Sequence, residues 1–371
     1  MLSSCRVCLG TELSCVTTFD AMPIHLWPSR FEDSSETDQL LVYKCENCSH
    51  LQLQNLDLEF LKKLYSREYM NMDSSAMNLE RANYLNKNLA FDSAEILDVG
   101  GGTNSTYMYF PSTNFTVVDP HIPSEPGVKY IEGFIADAQL DFEVYDYIFA
   151  FHILEHLENP RSDLRKLFNS LKETGKFVVE VPDSMYYAKK LPHYLYFYQH
   201  INLFTVETLD LLFSLEGFYR VDIRQDHGRL LGTYVKTIAQ NFSVGPLPAQ
   251  NENSIFLINS NYFTKIEKTI LKLISEFTAD KVIFLGAGGS STMLMYHFPG
   301  LLQKISCFMD SDVRKIGLNL PGTKKEIVQM STGPESDVLY LVLGRGILSN
   351  WMDFNSAKVI DILPFLERAG L

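Results

Sequence analysis

One pattern limits the folds open to this chain more than any other. An apolar run, Ile96-Leu97-Asp98-Val99, stops at Gly100-Gly101-Gly102, and a second run after it ends at Asp119 in FTVVDP. Buried strands that each finish in a glycine loop or an acid, with helical segments between them, form an open parallel α/β sheet. Such sheets bind ligands at the carboxyl ends of their strands. The later stretches extend the pattern. VKYIEG and YDYIFAFHILEHL read as further strands, the second running into a helix, a further helix ends near Thr174-Gly175, and KFVVEVP reads as the next strand. FYRVDIRQ and LLGTYVKTIAQ flank Asp226-His227-Gly228 and read as a β-hairpin that closes the sheet.

The loop chemistry narrows the ligand. The spacing Asp98-x-Gly100-x-Gly102-x-Asn104 lacks the third glycine of a dinucleotide fingerprint. Asp119 at a strand end suits ribose hydroxyls. An open glycine loop without a pyrophosphate cradle suits S-adenosylmethionine, and NAD is the alternative. The candidate cofactor-binding residues are Tyr69, Asp98, Gly100, Gly102, Asp119, Phe151 and His152. Glu155 and His156 lie at a helix start, where side chains cap and orient.

Two Cys-x-x-Cys pairs, Cys5/Cys8 and Cys45/Cys48, have metal-ligand spacing. Four thiolates make a closed tetrahedral site, so the expectation is one structural Zn(II) in a small lobe covering 1–58. Cys15 and Cys307 read as small buried hydrophobes.

Composition excludes some partners. The 371 residues carry a formal charge of −13, with 46% hydrophobic and 21% charged residues. That is a packed globular composition without the Lys/Arg surface needed for nucleic acid. No apolar run reaches the length of a bilayer span, and MLSSCRVC lacks the features of a signal peptide, so a cytoplasmic location without membrane attachment is expected.

Past Arg224 the character changes. SVGPLPAQNENS reads as a linker, placed at 241–253. A second strand, glycine loop and helix follow in KVIFLGAGGSSTMLMY, and ISCFMDSD ends in Asp310. The expected architecture is therefore a zinc lobe (1–58), an S-adenosylmethionine-binding domain with a terminal β-hairpin (59–240), the linker, and a second Rossmann-like domain (254–371). Helix N-terminal amides in the last domain could hold a nucleotide diphosphate, or the domain could be plain scaffold.

DVGGGT, Asp119, FHILEHLENP and the hairpin resemble the motifs of class I methyltransferases. The whole layout, with DSDVRKIGLNLPGT near the end, resembles the sugar C-methyltransferases, which act on nucleotide-linked keto-sugars. The resemblance implies that the first Rossmann-like domain holds S-adenosylmethionine and the last helps hold the nucleotide of a small-molecule acceptor. It also places Tyr198-Gln199-His200, within YLYFYQHINLFT, at the family's catalytic run. His200 would be the general base, Gln199 would position the acceptor oxygen, and Tyr196 or Tyr198 would donate to oxygen. The chain departs from the family at Gln199 for glutamate, Phe197 for tyrosine, Ser290 for lysine, and HGRLLG for His-Gly-Gly-Ser. Methylation at carbon or at oxygen both remain open, as do an NAD-dependent enzyme and a non-catalytic binding module.

Overall fold

The structure is a computed structural model that describes residues 3–28, 36–54, 59, 75–91, 93–102, 106–110, 114–121, 128–237, 256, 258, 260–330, 335–344 and 358–368. Tyr69 and the 241–253 segment lie outside the described residues. The chain forms two compact units, each assembled from three stretches: 1–15, 42–184 and 199–251 in the first, and 16–41, 185–198 and 252–371 in the second.

The first unit is built on a seven-stranded sheet. Its strands are β1 (Glu95–Val99), β2 (Asn114–Asp119), β3 (Lys129–Glu132), β4 (Tyr145–Phe151), β5 (Leu171–Pro182), β6 (Phe218–Asp226) and β7 (Arg229–Lys236). They lie in the order β3-β2-β1-β4-β5-β7-β6. Strand β7 runs antiparallel to both neighbours, and the first five strands are mutually parallel. Ile96 to Val99 and Phe115 to Val118 are buried, as continuous apolar runs in a sheet covered on both faces should be. The hairpin turns at His227 (φ 47°) and Gly228 (φ 81°). Positive φ at both central residues matches the right-handed twist of the flanking strands.

Helix α1 (Ser75–Asn88), α2 (Pro160–Ser170) and α3 (Val206–Leu215) belong to this unit. Thr205 caps α3, its hydroxyl accepting from the Thr208 amide. Helix α2 stops at Ser170, short of the expected end near Thr174-Gly175, and β5 begins at Leu171. Register against β4 slips between Tyr145 and Tyr147. There a Cβ on Gly175 would lie 3.0 Å from the Asp146 carbonyl oxygen and 2.7 Å from Leu171 Cδ1. The glycine therefore permits close strand approach and does not terminate the helix.

A four-stranded sheet contains, in spatial order, Leu13–Pro23, Thr37–Cys45, Leu51–Gln54 and Asn202–Leu203. The last two strands pair antiparallel, Leu51 with Leu203 and Gln52 with Asn202.

The second unit holds a five-stranded sheet of β8 (Lys281–Leu285), β9 (Cys307–Asp310), β10 (Ile327–Gln329), β11 (Val338–Val342) and β12 (Lys358–Asp361). All pairs are parallel, in the order β10-β9-β8-β11-β12, which makes it a second Rossmann-like fold. Helix α4 (Ser260–Ser275) precedes β8, and α5 (Gly289–His297) follows its glycine loop. Phe263 of α4 stacks on His297 of α5 at 3.9 Å between ring centroids. Among the described residues no helix is long and apolar enough to cross a membrane.

Candidate active site and metal centre

The carboxyl ends of β1, β2 and β4 bring most of the expected cofactor residues together. Gly100 and Gly102 adopt φ of 73° and 39°, conformations that favour glycine. The Gly100 amide donates to the Val118 carbonyl at 2.7 Å. A Cβ at Gly100 would fall 1.9 Å from Ile153 Cδ1, and one at Gly102 would fall 3.0 Å from Asp119 Oδ2. Side chains at either position would close the cradle, so the loop fits a ligand that approaches the backbone. The Asp119 carboxylate is held in place by the His121 amide at 2.7 Å. Burial raises its pKa from the ordinary carboxylate value, while the His121 and Gly102 amides oppose that shift. Asp98 is buried one strand position before Val99.

The end of β4 carries a buried charge network that sequence reasoning missed. His152, at φ 56°, places Nδ1 3.1 Å from Glu155 Oε1 and Nε2 3.0 Å from Glu180 Oε1. Burial alone would push its pKa down, but the two carboxylates outweigh burial and raise it to about 9. The ring is thus an imidazolium donating from both nitrogens. Arg81 of α1 meets Glu180 of β5 at 2.6 Å with both side chains buried. Its guanidinium also lies 4.3 Å over the Phe151 ring, a cation–π contact. Phe151 therefore meets both Arg81 and Phe149, with which it stacks at 5.4 Å. A lone acid inside the apolar stretch KFVVEVP was the signal that could have found this network.

The run 198–200 is divided. Tyr198, in the second unit, is buried and donates to Asp38 Oδ2 at 3.1 Å. Tyr196 donates to the Phe256 carbonyl at 2.8 Å, and Tyr194 stacks on Phe197 at 4.9 Å. These aromatics serve the core of that unit. Gln199 and His200 belong to the first unit. The Gln199 carbonyl accepts from His156 Nδ1 at 2.8 Å, and the His156 and His200 rings meet edge to face at 4.9 Å. Burial pushes the pKa of both below the histidine value; for His200, His156 and then His152 add to that shift, and for His156, His152 adds to it. Both rings are neutral at physiological pH. Asn202 clamps the turn beside them, donating to the Leu154 and Leu157 carbonyls at 3.1 and 2.7 Å, while its Oδ1 faces His50 Nε2 at 3.3 Å.

Cys5, Cys8, Cys45 and Cys48 converge, with Sγ atoms 3.6 Å apart for Cys5/Cys48 and 3.5 Å for Cys8/Cys45. Four ligands at the usual Zn–S length of about 2.3 Å stand about 3.8 Å apart in a tetrahedron, so the cluster fits the ion. The amides of Val7 and Cys8 point at Cys5 Sγ, and that of Gly10 points at Cys8 Sγ. The Cys48 thiol holds Cys5 low, to about 4, and burial pushes Cys45 up to about 11. The four thiols cannot all ionise without a cation among them. Arg6, inside the first knuckle, donates to the Leu53 and Ile201 carbonyls at 3.0 and 3.2 Å. The cysteine lobe thereby braces the segment that presents His200.

In the second unit, Ala287 N and Lys315 Nζ each lie 2.8 Å from Asp310 Oδ2. Ser290 Oγ is 2.9 Å from His193 Nε2, and Tyr194, Leu26 and Trp27 cover Gly289. A Cβ on Gly286 would meet nothing within 4 Å.

The order β3-β2-β1-β4-β5-β7-β6, with its terminal hairpin and open glycine loop, is that of a class I methyltransferase. The model of a methyltransferase domain matches residues 67–223. The protein is an S-adenosylmethionine-dependent methyltransferase. No curated protein matches the chain. It is similar to the 1,6-didemethyltoxoflavin-N1-methyltransferase of Burkholderia thailandensis, solved with 1,6-didemethyltoxoflavin and S-adenosylhomocysteine bound. That likeness has 15% identity and a TM-score of 0.39, covering 57% of this chain and 99% of the other. It is also similar to an S-adenosylmethionine-dependent methyltransferase of Mesorhizobium loti, at 15% identity and a TM-score of 0.35, covering 41% of this chain and 95% of the other.

Proposed function

We propose that the chain methylates a nucleotide-linked sugar or a closely related small metabolite, with carbon as the favoured acceptor atom. The observation that carries the reading is the pair of neutral imidazoles, His156 and His200, packed beside Glu155 beyond the end of β4. Gly100, Gly102 and Asp119 would hold the cofactor, which supplies an electrophilic methyl group on a sulfonium. His200 would take the acceptor proton. A carbon acceptor would need its C–H acidified by a neighbouring ketone before a neutral imidazole could take the proton. His156 is fixed by the Gln199 carbonyl and would orient His200. The glycine loop after β8, open at Gly286, is the place proposed for the acceptor's nucleotide. The four thiolates are proposed to bind one structural Zn(II).

Oxygen as the acceptor atom is the second reading, and Gln199 favours it, because an amide stands where the resembling family has a glutamate base, and it can still orient a hydroxyl by hydrogen bonding. The test is methyl transfer from labelled S-adenosylmethionine to a panel of nucleotide-linked keto- and hydroxy-sugars, read by mass and by the NMR shift of the new methyl. A product with the methyl on carbon bears the reading out. No transfer to any panel member by protein that binds S-adenosylhomocysteine would rule out the acceptor class.

A further inference from the structure

A cleft in the first unit runs between α1, β5 and the β6–β7 hairpin. Its charged lining is the guanidinium groups of Arg81, Arg224 and Arg229 and the carboxylates of Glu80, Glu180 and Asp226. The cleft lies at the rim where open α/β sheets take their ligands. Arg229 opens β7 opposite Pro182, the last residue of β5. Glu180, which walls the cleft, also meets His152 just past β4 at 3.0 Å.

Two of the arginines share one carboxylate. Glu80 accepts from Arg224 Nη2 at 3.1 Å through Oε1 and from Arg229 Nη2 at 2.8 Å through Oε2. Like charges this close repel, so the anion between them is what holds the pair. Glu80 is a loose occupant, because its side chain is 41% exposed on α1 and exposed ion pairs hold weakly. The arginines keep donors in reserve. Arg229 Nη1 stands 4.0 Å from Glu180 Oε2, too far for a hydrogen bond. Among the described residues, Arg81 Nε is buried without an acceptor, a condition that a bound acceptor group relieves. Arg229 is also the position at which HGRLLG parts from the His-Gly-Gly-Ser of the resembling family, so this cation belongs to the chain's own specificity.

We propose that the cleft takes a carboxylate of the acceptor, which replaces the Glu80 carboxylate between Arg224 and Arg229, and that the acceptor is therefore a sugar acid. With Glu80 turned out to solvent, three guanidiniums face the two carboxylates of Glu180 and Asp226, and the incoming anion restores neutrality. A planar carboxylate matches the paired N–H donors of a guanidinium, as the one it displaces does. Arg229 is then the specificity-determining residue. That the ligand is the methyl acceptor rests on the proposed function. Recognition of the carboxylate is measured without methyl transfer and without a nucleotide.

The experiment follows glucuronate and glucose binding to the S-adenosylhomocysteine complex by saturation-transfer difference NMR. Saturable glucuronate binding is expected, about 10-fold tighter than glucose, as one charge-assisted hydrogen bond allows. Arg229→Gln should erase that preference. Glu80→Gln, which frees both guanidiniums, should strengthen glucuronate about 3-fold and leave glucose unchanged. Both variants are compared only where they melt like the parent. No saturable glucuronate binding by the parent, or equal binding of the two sugars, overturns the proposal without recourse to any variant. A preference that survives in folded Arg229→Gln, or glucuronate weakened by Glu80→Gln, overturns it too. If the preference holds while no nucleotide-linked sugar is methylated, the cleft stands and the proposed function falls.

Discussion

Arg81 and Glu180 meet at 2.6 Å although 99 residues separate them, and neither side chain reaches solvent. The pair joins a helix to the fifth strand at the point where the charged ring of His152 also leans on Glu180.

Breaking that pair should leave a charge stranded. Glu180→Gln is expected to cost about 3–5 kcal/mol of unfolding free energy, read from urea midpoints at pH 7. A loss under 1 kcal/mol would mean that water reaches Arg81.

Asp119→Asn should weaken S-adenosylhomocysteine by about 1.5–3 kcal/mol, the worth of one charge-assisted hydrogen bond. Calorimetry checks this, and an unchanged dissociation constant would put the ribose elsewhere.

His200→Asn should slow methyl transfer about 10²–10⁴-fold, as general-base loss does, with cofactor affinity nearly unchanged. A variant with full turnover would leave His200 as a packing residue.

Native mass spectrometry should find one zinc per chain, lost on Cys45→Ser together with thermal stability. Four free thiols in native protein would contradict this. The loss should also slacken the 199–204 segment, because Arg6 inside the first knuckle holds the Ile201 carbonyl.

Asp163, buried in the first turn of α2, has its carboxyl raised to about 6, chiefly by burial. The folded state therefore holds a proton that the unfolded chain releases near pH 4. The protonated group's stabilisation is complete below that pH and is lost as pH rises through 6. Asp163→Asn should accordingly raise stability by about 1–2 kcal/mol at pH 7.5, after discounting for solvent screening, and by little at pH 4. Melting curves at the two pH values decide it.

What could be read from the sequence was what local pattern controls. Buried strands announce themselves by apolar runs, and Gly100 and Asp119 mark strand ends, so the sheet and its hairpin followed. Gly175 misled because a helix end and a tight strand approach both call for a residue without a side chain, and only the slip against β4 distinguishes them. The Arg81–Glu180–His152 network was out of reach for another reason. Each member is unremarkable among its sequence neighbours, and their pairing exists only after β4 and β5 lie side by side. For YLYFYQHINLFT, aromatic density does not reveal which way rings face, and only the fold shows that Tyr196 and Tyr198 are buried.

The threading of the chain sets an order on its synthesis. Residues 16–41 leave the ribosome before 252–371, yet both belong to the same unit. Until the later stretch is made the earlier one must wait, with Leu26 not yet against the Gly289 and Thr292 that meet it in the folded unit. A nascent chain of this kind gains its second unit only once residues 252–371 have been made. A gene cut at residue 251 would yield not a trimmed methyltransferase but one carrying two orphaned segments, a ready substrate for chaperones and proteases.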